Sequence, residues 1–197
     1  MTEIYILRHG QTDSNLRNAC IGSVDIALNE HGKEQAKRIK KKLSEINFDV
    51  IYSSPLSRAI DTISPYIKEN PQTPMHMSYA FSERDFGEWE DMSYEEIEKN
   101  DPALFKKWQQ DQTYFKIPGG ESISEVRDRV DKALAKILSQ NEDKKILIVT
   151  HLLTGRNVIA SLLDLPKESD KGFLIKNAQM AKVEIKNGKG TLVGLNA

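Results

Sequence analysis

Ile4-Tyr5-Ile6-Leu7-Arg8-His9-Gly10-Gln11-Thr12-Asp13-Ser14-Asn15 decides the reading of this chain, because a short apolar run stops there at a cluster of cationic and hydrogen-bonding side chains. An isoleucine-rich run bounded by glycine and a polar turn is the pattern of a buried strand. Open α/β sheets bind their ligands beyond the carboxyl ends of the strands. The stretch therefore predicts a strand over 3–8 with a polar site at its exit, and it puts His9 at that exit.

Outward from this strand, the pattern alternates helix and strand. Asn29 can cap a helix whose apolar positions Ala36, Ile39, Leu43 and Ile46 recur at helical spacing. Lys40-Lys41-Lys42 then lies on its solvated face. A second strand is expected over 48–53. Ser54-Pro55 follows as N-cap and first helical residue, with Pro65 bending or shortening the helix they open. That start puts Arg58 in the first helical turn, where amide donors and an arginine fork together suit phosphate. Residues 75–81 read as a third strand, and 145–150 as a fourth, the most strongly β-like in the chain. A helix is expected over 154–163, stopped by Pro166, and a strand pair over 180–186 and 191–195 turns at Asn187-Gly188.

Ser93 with Glu96 and Ser122 with Glu125 have capping-box spacing, and Asp101-Pro102 marks a further helix start. Residues 84–120 read as a helical, lid-like insertion. The sum is one domain over 1–197, a three-layer α/β/α fold with a central, mostly parallel mixed sheet of about six strands.

The 28 basic and 29 acidic residues give a net charge of −1, so no global field recruits nucleic acid or an anionic membrane. Any selectivity for anions must be local. Cys20 is the single cysteine, so neither an intrachain disulfide nor a thiolate metal cage can form, and a reducing, cytoplasmic setting is expected. No stretch is long enough for a signal h-region or a membrane span.

Two strands thus end in histidine, His9 and His151, one helix opens near Arg58, and a third strand ends near Glu83. In a mostly parallel sheet, Arg8, His9, Arg58, Glu83 and His151 can face one crevice. The carboxylates Asp85, Glu88 and Glu90 compete with Glu83 on position alone. His31 and His76 have no ligand spacing with the other histidines and read as surface or packing residues.

Leu7-Arg8-His9-Gly10-Gln11-Thr12 resembles the signature of the histidine phosphatase superfamily, which includes the cofactor-dependent phosphoglycerate mutases. The resemblance continues through Asn15, Gly22, Asp25, Leu28, Gly32, Gln35 and Ala36 to Ser53-Ser54-Pro55-Leu56, Arg58-Ala59 and Thr62. It extends to Glu83, Phe86-Gly87-Glu88-Trp89-Glu90, Gly120-Glu121-Ser122, Arg127, His151, Arg156 and Asn177. It implies the phosphoglycerate mutase-like fold, His9 as a nucleophile forming phosphohistidine, and Glu83 as general acid and base with a pKa tuned toward neutrality. Arg8, Asn15, Arg58 and His151 are implied as phosphate ligands, with no metal or cofactor required.

Departures from the family pattern are Leu152-Leu153 where many relatives have glycine, Asn29 for threonine and Ala27 for proline. Gln11, Asp13 and Ser14 are expected at the entrance to the site. Within 84–120, five basic residues face nine acidic ones. This composition favours hydrolysis of a monophosphate with a neutral or apolar remainder over mutase transfer on a bisphosphorylated glycerate. The aromatics Phe86, Trp89, Tyr94, Phe105, Trp108 and Tyr114 are equally candidates for lid core and for substrate contacts. The expected partner is a small-molecule phosphate ester. Phosphoglycerate mutase activity and a catalytically silent phospho-ligand binding module are the alternatives, and the oligomeric state is left open.

Overall fold

The computed structural model describes residues 1–196. In chain order it consists of β1 (Thr2–Arg8), α1 (Asp13–Leu16), α2 (Glu30–Leu43), β2 (Val50–Ser53), α3 (Ser57–Glu69), β3 (Met75–Met77), α4 (Tyr94–Asn100), α5 (Pro102–Gln110), α6 (Ile123–Gln140), β4 (Lys145–Thr150), α7 (Leu152–Leu162), β5 (Met180–Lys186) and β6 (Lys189–Leu195). The strands form one six-stranded sheet in the order β3-β2-β4-β1-β5-β6. β1, β4, β2 and β3 run parallel, whereas β5 and β6 are antiparallel additions. None of the described helices is long and apolar enough to cross a membrane.

Alternation along the strands builds the two outer layers. Ile4 and Ile6 of β1, with Ile146 and Ile148 of β4, pack against Val126, Val130 and Leu134 of α6 and Val158 and Ile159 of α7. Their neighbours Tyr5, Leu7, Leu147 and Val149 face Ile39 and Leu43 of α2 and Ala59 and Ile63 of α3. A one-residue slip would exchange the two faces. The sheet register is correspondingly tight: Arg8 lies opposite Thr150, so His9 and His151 leave adjacent parallel strands side by side.

Three local expectations need correction. β3 ends at Met77 rather than 81, because the Ser78 side chain accepts from the Ala80 amide and starts a 3-10 turn over Tyr79–Phe81. α3 starts at Ser57 with Leu56 as N-cap, leaving Ser54 and Pro55 outside the helix. Its first amide and the Ser57 hydroxyl donate to the Asp25 carboxylate, so a side chain occupies the anion position expected for phosphate. Pro65 does not shorten α3, which runs on to Glu69: the carbonyl it deprives of a partner belongs to exposed Asp61, where water can serve it. Asn29 caps α2 as expected, accepting from the Gly32 amide at 2.8 Å. Both capping boxes are formed.

The chain between β3 and α6 builds a small separate core of Phe86, Trp89, Ile97, Phe105 and Ile117, joined by Cys20 from the loop after α1. Trp89 packs edge-on to Trp108 and stacks on Phe115, and Tyr94 stacks on Trp108. Most of the aromatics are therefore internal packing of this insertion. Tyr114 points outward and donates to Glu168 at 2.5 Å.

Candidate active site

A cleft of about 590 Å³ opens above the carboxyl ends of β1 and β4. Arg8, His9, Asn15, Arg58 and Glu83 all line it, and His151 packs beside His9 with ring centroids 5.0 Å apart. The set proposed from sequence is thus brought together, with His151 wholly buried behind the front rank.

His9 is held in one tautomer by the chain itself. Its Nδ1 lies 2.6 Å from the Gly10 carbonyl oxygen, which can only accept, so Nδ1 carries the proton. Nε2 is then the atom with the free lone pair, and no described protein group bonds it. Burial, then the charges of Arg58 and Arg8, push the His9 pKa well below the usual imidazole range, which keeps the ring neutral. The turn after His9 is clamped: the Gly10 amide donates to Thr62 Oγ1 at 2.8 Å, and that hydroxyl donates to the Arg58 carbonyl at 2.7 Å. A Cβ on Gly10 would stand 2.9 Å from the Gly32 carbonyl oxygen, so only glycine lets the turn close against α2.

Arg58 and His151 form a second unit. Arg58 Nε donates to His151 Nδ1 at 3.2 Å, so the other ring nitrogen carries the proton and donates to Ser54 Oγ at 2.8 Å. The Arg58 Nη atoms donate to the carbonyls of Val24 and Gly22, which locks the guanidinium in place. Burial, then the charges of Arg58 and His9, push the His151 pKa well down. Arg8 donates Nη1 to the Ile175 carbonyl, and burial brings its pKa down to about 10, still a cation at neutral pH. Asn15 accepts at Oδ1 from the Thr12 amide and from Asn177 Nδ2, both at 3.1 Å. Its own Nδ2 is left to donate elsewhere.

Glu83 sits at the N-terminus of α7. Its carboxylate accepts from the amides of Leu153, Thr154 and Arg84 at 3.0 to 3.1 Å, and the Thr154 hydroxyl, which donates to the Ser82 carbonyl at 2.6 Å, lies 3.2 Å from the carboxylate. It thereby caps the helix whose N-cap residue, His151, makes no side-chain cap of its own. Its competitors are occupied elsewhere: Glu90 accepts from the amides of Gly22, Ser23 and Phe86, Asp85 accepts from the Gly87 amide, and Glu88 is exposed.

Several partners escaped the sequence reading. Ser54, assigned as a helix cap, instead fixes the His151 ring. Thr62 stood in the family pattern without a role, and Thr154 was only a helix start. A hydroxyl next to a strand end or on a buried helix face carries no periodic signal, so only the resemblance could have flagged Ser54 and Thr62. Gln11, Asp13 and Ser14 do not line the cleft: Gln11 and Asp13 bond to Asn29 and help seat the loop on α2, and Ser14 is buried. The excess negative charge of 84–120 does not reach the cleft either, because only Phe86 and Tyr94 of that segment line it. The two residues that depart from the family pattern, Leu152 and Leu153, do form part of its wall.

Comparison with known proteins places the chain among phosphatases. Over its full length the chain is 28% identical to phosphoserine phosphatase 1 of Hydrogenobacter thermophilus, covering 92% of that protein. Among solved structures it superimposes on a putative alpha-ribazole-5'-P phosphatase from Escherichia coli K-12 with a TM-score of 0.92 at 26% identity, covering 100% of this chain and 96% of that one. It also matches a phosphoserine phosphatase of Entamoeba histolytica, solved with 3-phosphoglyceric acid, with a TM-score of 0.87 at 29% identity over 100% and 98% of the two chains. The family model for branch 1 of the histidine phosphatase superfamily matches residues 4–197, and the chain is an enzyme of that family.

Proposed function

We propose that this protein is a phosphomonoesterase that hydrolyses a small-molecule phosphate through a phosphohistidine on His9. The observation that carries the reading is the His9 ring itself: neutral, with its Nδ1 proton committed to Gly10 and Nε2 unbonded in a cleft lined by Arg8 and Arg58.

In the first step the Nε2 lone pair attacks phosphorus as the ester P–O bond breaks. The charge on the equatorial oxygens is met by Arg8, Arg58, Asn15 and His151, groups already placed before substrate arrives. Glu83 passes a proton to the leaving oxygen. The proton Glu83 gives up in this step is restored in the next, so the carboxyl begins and ends a turnover in the same state. In the second step Glu83 takes a proton from water, water oxygen attacks phosphorus, and the P–N bond breaks to return His9 and inorganic phosphate.

Hydrolysis is favoured over mutase transfer because, among the described residues, the segment 84–120 places no cation in the cleft wall. The named phosphatases among its relatives support the same choice. A free thiol at Cys20, which burial pushes up to about 11, fits a reducing cytoplasmic setting and takes no part in the chemistry. The test is phosphate release from an aryl phosphate, followed by incubation with 3-phosphoglycerate and bisphosphoglycerate. Release that His9→Ala abolishes is expected; robust isomerisation without release contradicts the hydrolase reading.

A further inference from the structure

One cation in the cleft has no task in the phosphoryl chemistry. Arg156, in the second turn of α7, lines the cleft and donates Nε to the Phe173 carbonyl at 2.6 Å. No described protein group accepts from either of its Nη atoms. It makes no ion pair: Asp170, whose buried carboxyl feels the Arg156 charge, has no bond to either oxygen. Arg156 instead stands close enough to Arg8 for the two charges to oppose each other.

A guanidinium held by one edge and offered by the other, beside a second arginine, is stabilised by an anion between them. Among the described residues Glu83 is the only carboxylate in the cleft wall, and it rests on the first amides of α7. The phosphoryl group at His9 already has Arg8, Arg58 and Asn15. Ile21, Ile26, Phe86, Leu152 and Leu153 add apolar surface to the wall, beside the neutral side chains of Asn18, Tyr94 and Asn177. A planar fork whose two Nη atoms are both unused matches the two oxygens of a carboxylate with two parallel hydrogen bonds.

We propose that the free edge of Arg156 binds a carboxylate of the substrate, which makes the substrate class small phosphorylated carboxylic acids. The proposal rests on the phosphatase reading above. It also replaces the expectation, drawn from the charge of 84–120, of a neutral or apolar remainder.

The experiment compares kcat/KM for O-phosphoserine with that for O-phosphoethanolamine, the same compound without its carboxylate, and for p-nitrophenyl phosphate, in wild type, Arg156→Gln and Arg156→Lys. A charged hydrogen-bonded pair corresponds to a preference of about 30-fold for phosphoserine in the wild type. Arg156→Gln should collapse that preference to within about threefold, chiefly through KM, and Arg156→Lys should restore part of it. No preference in the wild type overturns the proposal. So does an Arg156→Gln variant that loses all three substrates in equal proportion, since Arg156 would then serve the phosphoryl group or the fold. A stronger, Arg156-dependent preference for 2,3-bisphosphoglycerate overturns the carboxylate assignment. Absence of hydrolysis of any of the compounds by wild type removes the phosphatase reading itself.

Discussion

Lowering the pH from 7 to 5.5 should destabilise this protein through its two site histidines. In the unfolded chain each has an ordinary imidazole pKa near 6.5. In the folded chain both are pushed well down, by burial first and then by Arg58, with Arg8 adding for His9 and His9 adding for His151. Below pH 6.5 the unfolded state therefore binds two protons that the folded state refuses, so stability present above that pH is lost as pH falls. Each group contributes a limiting slope of about 1.4 kcal/mol per pH unit, and integration from pH 7 to 5.5 gives about 1.3 kcal/mol each, or about 2.5 kcal/mol together. Asp170 works in the opposite direction, because burial raises its pKa and acidification then favours the folded form. Urea titrations at the two pH values measure the difference directly. His9→Gln, which removes one of the two groups, should lose about half of the pH dependence. Equal stability at both pH values, or an unchanged pH dependence in His9→Gln, would refute the buried-neutral description of the site.

Thr62→Val leaves the buried Gly10 amide without its acceptor and should cost about 1–3 kcal/mol of stability together with a drop in kcat, while Thr62→Ser retains both. Ser54→Ala frees the His151 ring from its proton acceptor; steady-state kinetics should show a fall in kcat of about tenfold with stability lowered by no more than about 1.5 kcal/mol. Gly22→Ala would put a Cβ 1.8 Å from the Arg84 carbonyl oxygen, forcing apart the loop whose Gly22 carbonyl holds Arg58. A KM rise of about tenfold or more is expected for Gly22→Ala, and a wild-type KM would show that this contact does not seat Arg58.

The parallel sheet and its helices were legible because burial on both faces writes long apolar runs into β1 and β4, and amphipathic spacing into α2 and α6. The site histidines were legible for a related reason, since each directly follows such a run. Boundaries set by side chains were less accessible. Ser78 and Asp25 decide where β3 ends and how α3 begins, through single hydrogen bonds that leave no pattern in composition. The charge of the segment 84–120 misled because a sum over sequence does not say which side chains turn inward: Asp85 and Glu90 bind backbone amides, and only Phe86 and Tyr94 reach the cleft. Conversely, Glu83 could be separated from its acidic neighbours only once α7 was seen to rest its first amides on it. Arg156 belonged to the family pattern, but its free edge is a property of the fold.

The most direct test of the central claim is to mix the enzyme with a phosphorus-radiolabelled substrate, quench within a turnover, and map the label by peptide sequencing. The account predicts an acid-labile, base-stable phosphoramidate on the peptide carrying His9, absent from His9→Ala. Phosphate release at the wild-type rate with no label on the protein, or with label on another residue, would contradict it.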